Sequence, residues 1–116
     1  MRKITKSMSH AFRGIYVILR GQRNMKIHIF AVVVCVALGF WLKISNTEWL
    51  ILLLLFGLVL TSEAFNSGLE NTLDCVSKDH REDIRDAKDV VAGAVLIASI
   101  ISLIAGIIIF LPKIFS

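Results

Sequence analysis

The sequence predicts an all-α integral membrane protein, with three transmembrane helices preceded by an N-terminal amphipathic surface helix. Three observations predict it. Apolar residues make up 56% of the 116 and mean hydropathy is +0.75, well above an ordinary soluble domain. Apolar segments at 27–45, 48–73 and 89–112 are each long enough to cross about 30 Å of hydrocarbon. Basic residues are also segregated along the chain, with Arg2, Lys3, Lys6, Arg13, Arg20, Arg23 and Lys26 all preceding the first acid, Glu48.

Within residues 1–24, Ile4, Met8, Phe12, Ile15 and Leu19 recur at spacings of four and three, with Lys6, Arg13 and Arg20 between them. Such a helix has one apolar and one basic face and suits the cytoplasmic surface of a bilayer. Gly21 and Asn24 then let the chain turn. The first span is the shortest; His28 near its start and Lys43 near its end are placed to snorkel toward the headgroups. Twenty-six mostly polar or amphipathic residues precede it and no small-residue cleavage site follows, so it is expected to remain in the mature protein.

The second span begins at "SNTEW", where Ser45, Asn46 or Thr47 can cap a helix and Glu48 complements its positive end. Trp41 and Trp49 mark the outer interface on both sides of that turn. A polar loop is expected at 74–88. The third span has no charged residue from Val90 to Pro112, and Ala94, Ala98, Ser102 and Gly106 repeat at every fourth position, which brings one stripe close to another backbone. Pro112 is expected to end this helix.

Orientation follows from charge. The loop adds Lys78, Arg81, Arg85 and Lys88 to the basic N-terminus, whereas the other side holds Lys43 and Lys113. The positive-inside rule places the N-terminus and the loop in the cytoplasm, in a multi-pass protein of the cytoplasmic membrane. The "KISNTE" turn and the C-terminus face outward. Seven of the thirteen basic residues sit on the membrane-flanking N-terminal segment, where anionic headgroups are nearer partners than nucleic acid. Cys35 and Cys75 lie at different depths, which argues against a disulfide, and neither has His neighbours at zinc-ligand spacing.

The stretch "SEAFNSGLENTLD", residues 62–74, interrupts the apolar pattern. At about 100° per residue, Glu70 and Asp74 each fall within about 20° of Glu63, with Asn66 about 60° to the side. Counted from Glu48, Glu63 lies about 22 Å across the membrane and Glu70 about 10 Å beyond it. An unpaired ionisable group at such depth costs on the order of 2 to 3 kcal/mol and calls for a partner or a task. One reading is structural: Glu63 and Asn66 tie helices together while Asp74 caps a helix or pairs with a basic loop residue. The other is chemical. A carboxylate at headgroup depth can take a proton from a lipid hydroxyl, and a second, nearer water, can hold Mg²⁺ on a nucleotide. Phosphoryl transfer needs mostly positioning and charge neutralisation, and Lys88 supplies a point charge for phosphate oxygens. The chain has no G-x-x-x-x-G-K-[ST] and no kinase-type Gly-rich loop, so a soluble kinase fold is excluded.

The residues "EAFNSGLENTLD", followed fourteen positions after Asp74 by Lys88 in "AKDVVAGAVL", resemble the prokaryotic diacylglycerol kinase family of small membrane lipid kinases. The likeness extends to "HAFRGI", "RNMKIH" and "FLPKI", details that look like the Gram-positive branch, which is associated with undecaprenol as acceptor. The resemblance implies a homotrimer with sites shared between neighbouring subunits, ATP as co-substrate and Mg²⁺ as cofactor. It puts the general base on Glu63 with Asn66 beside it, and a metal ligand on Glu70. ATP contacts map to Lys3, His10, Asp79, His80, Arg81, Lys88 and Asp89. Relatives carry a second metal-binding Glu immediately before "RN", where this chain has Gln22; an amide oxygen can still coordinate but removes a negative charge from a hard-cation site. Two alternatives stay open: diacylglycerol as the acceptor, and a non-catalytic membrane relative weakened at Gln22.

Overall fold

Hydrocarbon offers peptide groups no hydrogen bonds, so three long apolar runs must satisfy their backbones internally, and helices do so. The computed structural model describes residues 2–21, 23–76 and 82–116. Four helices follow one another: α1 (Arg2–Gly21), α2 (Arg23–Leu42), α3 (Asn46–Val76) and α4 (Glu82–Ile114). The last three are long and apolar enough to cross a membrane. Their outward side chains agree, since Leu53, Leu54, Ile97 and Ile108 are all more than 60% exposed, a surface suited to lipid rather than water.

Several boundaries differ from the sequence reading. Asn24, expected in a turn, is already in α2, and α2 stops at Leu42 rather than 45. Helix takes up much of the expected 74–88 loop, because α3 continues to Val76 and α4 begins at Glu82. At 31 and 33 residues, and about 1.5 Å per residue, α3 and α4 outrun the hydrocarbon and carry polar turns beyond it. The charge of "EDIRDAKD" marks helix in a polar medium rather than loop. Nor does Pro112 end α4: helix continues to Ile114, and the Phe115 N–H donates to the Leu111 carbonyl at 3.2 Å. A proline in the final turn costs one backbone bond and leaves the others intact.

The α2–α3 connection is tightly specified. Lys43 takes a left-handed conformation, φ 53°, and the Ile44 N–H donates to the Gly39 carbonyl at 3.2 Å, which is a Schellman helix end. Ser45 then caps α3: its Oγ accepts from the Glu48 N–H at 3.2 Å, and Glu48 Oε1 accepts from the Ser45 N–H at 2.9 Å. This reciprocal pair is a capping box and selects Ser45 among the three candidate caps. Ile44 is buried between the two helix ends, in a cluster with Leu52, Ile109 and Phe110 against which Trp49 packs. Gly39 is required here, since a Cβ on it would lie 2.6 and 2.8 Å from the Trp49 indole.

Helices α3 and α4 run antiparallel, joined near both ends. Lys113 Nζ lies 3.2 Å from Glu48 Oε1 at one end, and Lys88 Nζ lies 2.6 Å from Asp74 Oδ1 at the other. Of the small residues on α4, Ala98 is buried, Ser102 and Gly106 are half-buried and Ala94 is exposed, so close packing uses only part of the expected stripe. Both cysteines are free. Helix α1 packs mainly on α2, leaving Ile4, Met8 and Phe12 exposed.

Candidate active site

The polar stripe of α3 is graded by depth in the bundle. Glu63 is 1% exposed, with Asn66 and Ser67 also buried; Glu70 is half-buried and Asp74 exposed. Helical periodicity places these groups near one face, and packing of α2 and α4 buries the deeper end of it.

The deep end is poorly satisfied. Glu63 Oε2, Asn66 Oδ1 and Ser67 Oγ are buried without a hydrogen-bond partner among the described residues, as is Ser102 Oγ on α4. Buried polar atoms are nearly always paired, because an unmade bond there forfeits the desolvation cost. Three such atoms lie within five residues of one helix, which makes this stretch the candidate site. The nearest basic group to Glu63 among the described residues is His28 of α2, with Nε2 3.6 Å from Oε2, beyond hydrogen-bond distance. The charge of Glu70 also reaches Glu63.

The shallow end is paired. Lys88 meets Asp74, as the structural reading of that acid expected, and also lies within electrostatic reach of Glu70. Glu70 itself makes no hydrogen bond or ion pair among the described residues. The described residues hold no group of three or more His, Cys, Asp or Glu that could cage a metal. Mg²⁺ does not need one: it keeps water and phosphate oxygens and takes one or two protein carboxylates. Glu70, half-exposed and uncommitted, fits that donor set.

The other expected positions are less gathered. Lys3 and His10 are exposed on α1 and make no hydrogen bond or ion pair with α3 or α4. Asp89 is exposed beside Lys88 on α4. Gln22, Asp79, His80 and Arg81 lie outside the described residues. Two residues that the sequence reading did not place at the site, His28 and Ser67, belong to its deep end. A His within the first apolar run and a Ser one position after Asn66 were the available signals, but the 35-residue separation from Glu63 hides His28 without a fold.

Two apolar spaces flank the stripe. A groove of about 1060 Å³ runs between α1, α2 and α3, lined by Ile15, Leu19, Ala64 and Gly68 among others. A second, of about 430 Å³, lies between α2, α3 and α4 and includes His28, Cys35, Ser99 and Ser102. Glu63 lines neither; its neighbour Ala64 lines the first and its facing residue His28 the second.

Comparison with known proteins bears out the family resemblance. The family model for prokaryotic diacylglycerol kinase matches residues 9–110. The chain is 38% identical over 113 residues to undecaprenol kinase of Bacillus subtilis, covering 97% of this chain and 92% of that one. It is 33% identical over 111 residues to diacylglycerol kinase of Synechocystis, covering 95% of this chain and 63% of the relative. Identity to diacylglycerol kinase of Escherichia coli is 26% over 102 residues, 88% and 84% of the two chains. A membrane-spanning helical chain with a carboxylate stripe whose deep end, at Glu63, is buried, matched along nearly its whole length, belongs to the prokaryotic diacylglycerol kinase family, a family of lipid kinases.

Proposed function

We propose that this chain transfers the γ-phosphate of Mg-ATP to the hydroxyl of undecaprenol, giving undecaprenyl phosphate at the cytoplasmic face of the membrane. The observation that carries the reading is the α3 stripe, with a buried carboxylate at Glu63 whose Oε2 has no hydrogen-bond partner among the described residues, and a half-buried one at Glu70, without hydrogen bond or ion pair among them, two turns nearer the polar end. Undecaprenol is favoured over diacylglycerol by the 38% identity to a kinase named for it, against 33% and 26% to kinases named for diacylglycerol.

In this reading Glu63 accepts the proton of the acceptor hydroxyl as it attacks the γ-phosphorus, the bond from that phosphorus to the β–γ bridging oxygen breaks and ADP leaves, and Asn66 orients the reacting groups with its amide. Glu70, with Gln22 as a weaker neutral donor, would hold the metal. Mg²⁺, when bound with ATP, neutralises charge on the phosphate oxygens. Lys88 adds a further positive charge there, and Lys3, His10, Asp79, His80, Arg81 and Asp89 contact the nucleotide. The groove beside Ala64 and Gly68 offers the acceptor's isoprenoid chain an apolar path that begins next to Glu63.

The orientation that suits this chemistry has α1 flat on the cytoplasmic surface and the α3–α4 connection in the cytoplasm, as the basic residues of both segments support. A homotrimer, in which neighbouring subunits complete each site, is supported by the family resemblance. The test is acceptor competition: purified chain in mixed micelles receives labelled ATP with undecaprenol and diacylglycerol together. Label is expected mainly in undecaprenyl phosphate. Preferential labelling of phosphatidic acid would reassign the acceptor, and label in neither would overturn the reading.

A further inference from the structure

We propose that His28 is the positioning residue for Glu63, its imidazole N–H donating to Oε2 and so fixing the carboxylate with its other oxygen toward the acceptor hydroxyl. The proposal rests on Glu63 acting as the base. It starts from an imbalance: Glu63 is 1% exposed, its Oε2 has no hydrogen-bond partner, and yet it stands in a membrane-spanning helix. Such an oxygen needs a donor. Among the described residues the titratable groups that act on it are His28, from α2, and Glu70, on its own helix. Glu70 is an acid and repels it. The residues that α4 presents to the cavity containing His28 are apolar or, like Ser99 and Ser102, uncharged.

Geometry makes His28 able to serve. Its Nε2 is 3.6 Å from Oε2, and a hydrogen bond to a carboxylate forms at about 2.8 Å, so a side-chain adjustment of under about 1 Å closes the gap. The imidazole is largely buried, at 19% side-chain exposure, and borders a cavity, which leaves it room to move. A carboxyl group held at one oxygen has fewer rotamers than a free one, and transfer of the acceptor proton demands one of them.

Three variants, assayed with Mg-ATP and undecaprenol, test the assignment. His28→Leu keeps bulk and removes the donor; kcat is expected to fall about 10- to 100-fold, with KM for ATP and for undecaprenol within about twofold of wild type. His28→Gln places an amide N–H close to the position of Nε2, and kcat is expected to recover at least about tenfold over His28→Leu. Should His28→Leu not purify as a folded protein, His28→Ala carries the same expectation. Glu63→Gln separates this proposal from the reading beneath it. If Glu63→Gln is inactive while His28→Leu and His28→Gln match wild type, the positioning role falls and the base stands. Losses confined to KM, or an equal loss of kcat in His28→Leu and His28→Gln, also overturn the positioning role. If Glu63→Gln turns over normally, the base assignment itself is wrong.

Discussion

Lys88 Nζ and Asp74 Oδ1 lie 2.6 Å apart, joining α4 to the last turns of α3 where the carboxylate stripe becomes exposed. The side chains are 36% and 57% exposed, so solvent screening leaves the pair little effect on stability. Its consequence is positional: Lys88 is held near Glu70 before any nucleotide arrives. Asp74→Asn is expected to raise KM for ATP about three- to tenfold while leaving the melting temperature within about 2 °C of wild type. Nucleotide titrations and thermal melts in micelles check both halves, and a large drop in melting temperature with unchanged KM would make the pair purely structural.

In the proposed reading Glu70 holds the metal, being half-buried and without hydrogen bond or ion pair among the described residues. Glu70→Gln, which leaves an amide here as well as at Gln22, is expected to raise the Mg²⁺ concentration for half-maximal activity about tenfold or more. Gln22→Glu is expected to lower it. A magnesium titration of the three proteins decides the point, and an unchanged midpoint for Glu70→Gln removes its role. Activity absent from both wild type and Gln22→Glu would favour a non-catalytic protein.

The left-handed Lys43 predicts a stabilising substitution. A side chain at φ 53° costs roughly 1 kcal/mol that glycine avoids. Lys43→Gly is expected to raise stability by about that amount with no change in turnover, read as an upward shift of the thermal midpoint.

Gly39 predicts the opposite. Its missing Cβ makes room for Trp49, with the nearest ring atom 2.6 Å from where that Cβ would stand. Gly39→Ala is expected to displace the indole and destabilise the α2–α3 turn by about 1 to 3 kcal/mol, seen as a lower melting midpoint and altered tryptophan fluorescence.

Much of this was legible before any coordinates. Helical periodicity alone aligned Glu63, Glu70 and Asp74, and "SNTE" announced a helix start because capping is local, although the choice of Ser45 among three candidate caps needed the structure. What stayed hidden depended on context. The end of α2 at Leu42 has no glycine after it to announce it, since the turn is held by Ile44 burial and the Gly39 carbonyl. The charged start of α4 read as loop because a helix leaving the membrane loses its apolar signature while keeping its hydrogen bonds. His28 and Glu63 meet only because α2 packs against α3, a tertiary fact that spacing along the chain does not carry.

The central claim is that Glu63 is the base for phosphorylation of a lipid alcohol, and transfer of labelled phosphate from ATP to undecaprenol by wild type and Glu63→Gln tests it most directly. The account predicts labelled undecaprenyl phosphate with wild type and a loss of about 10²- to 10⁴-fold in Glu63→Gln with ATP binding retained. Comparable labelling by the two proteins, or none by wild type under any magnesium concentration, would contradict it.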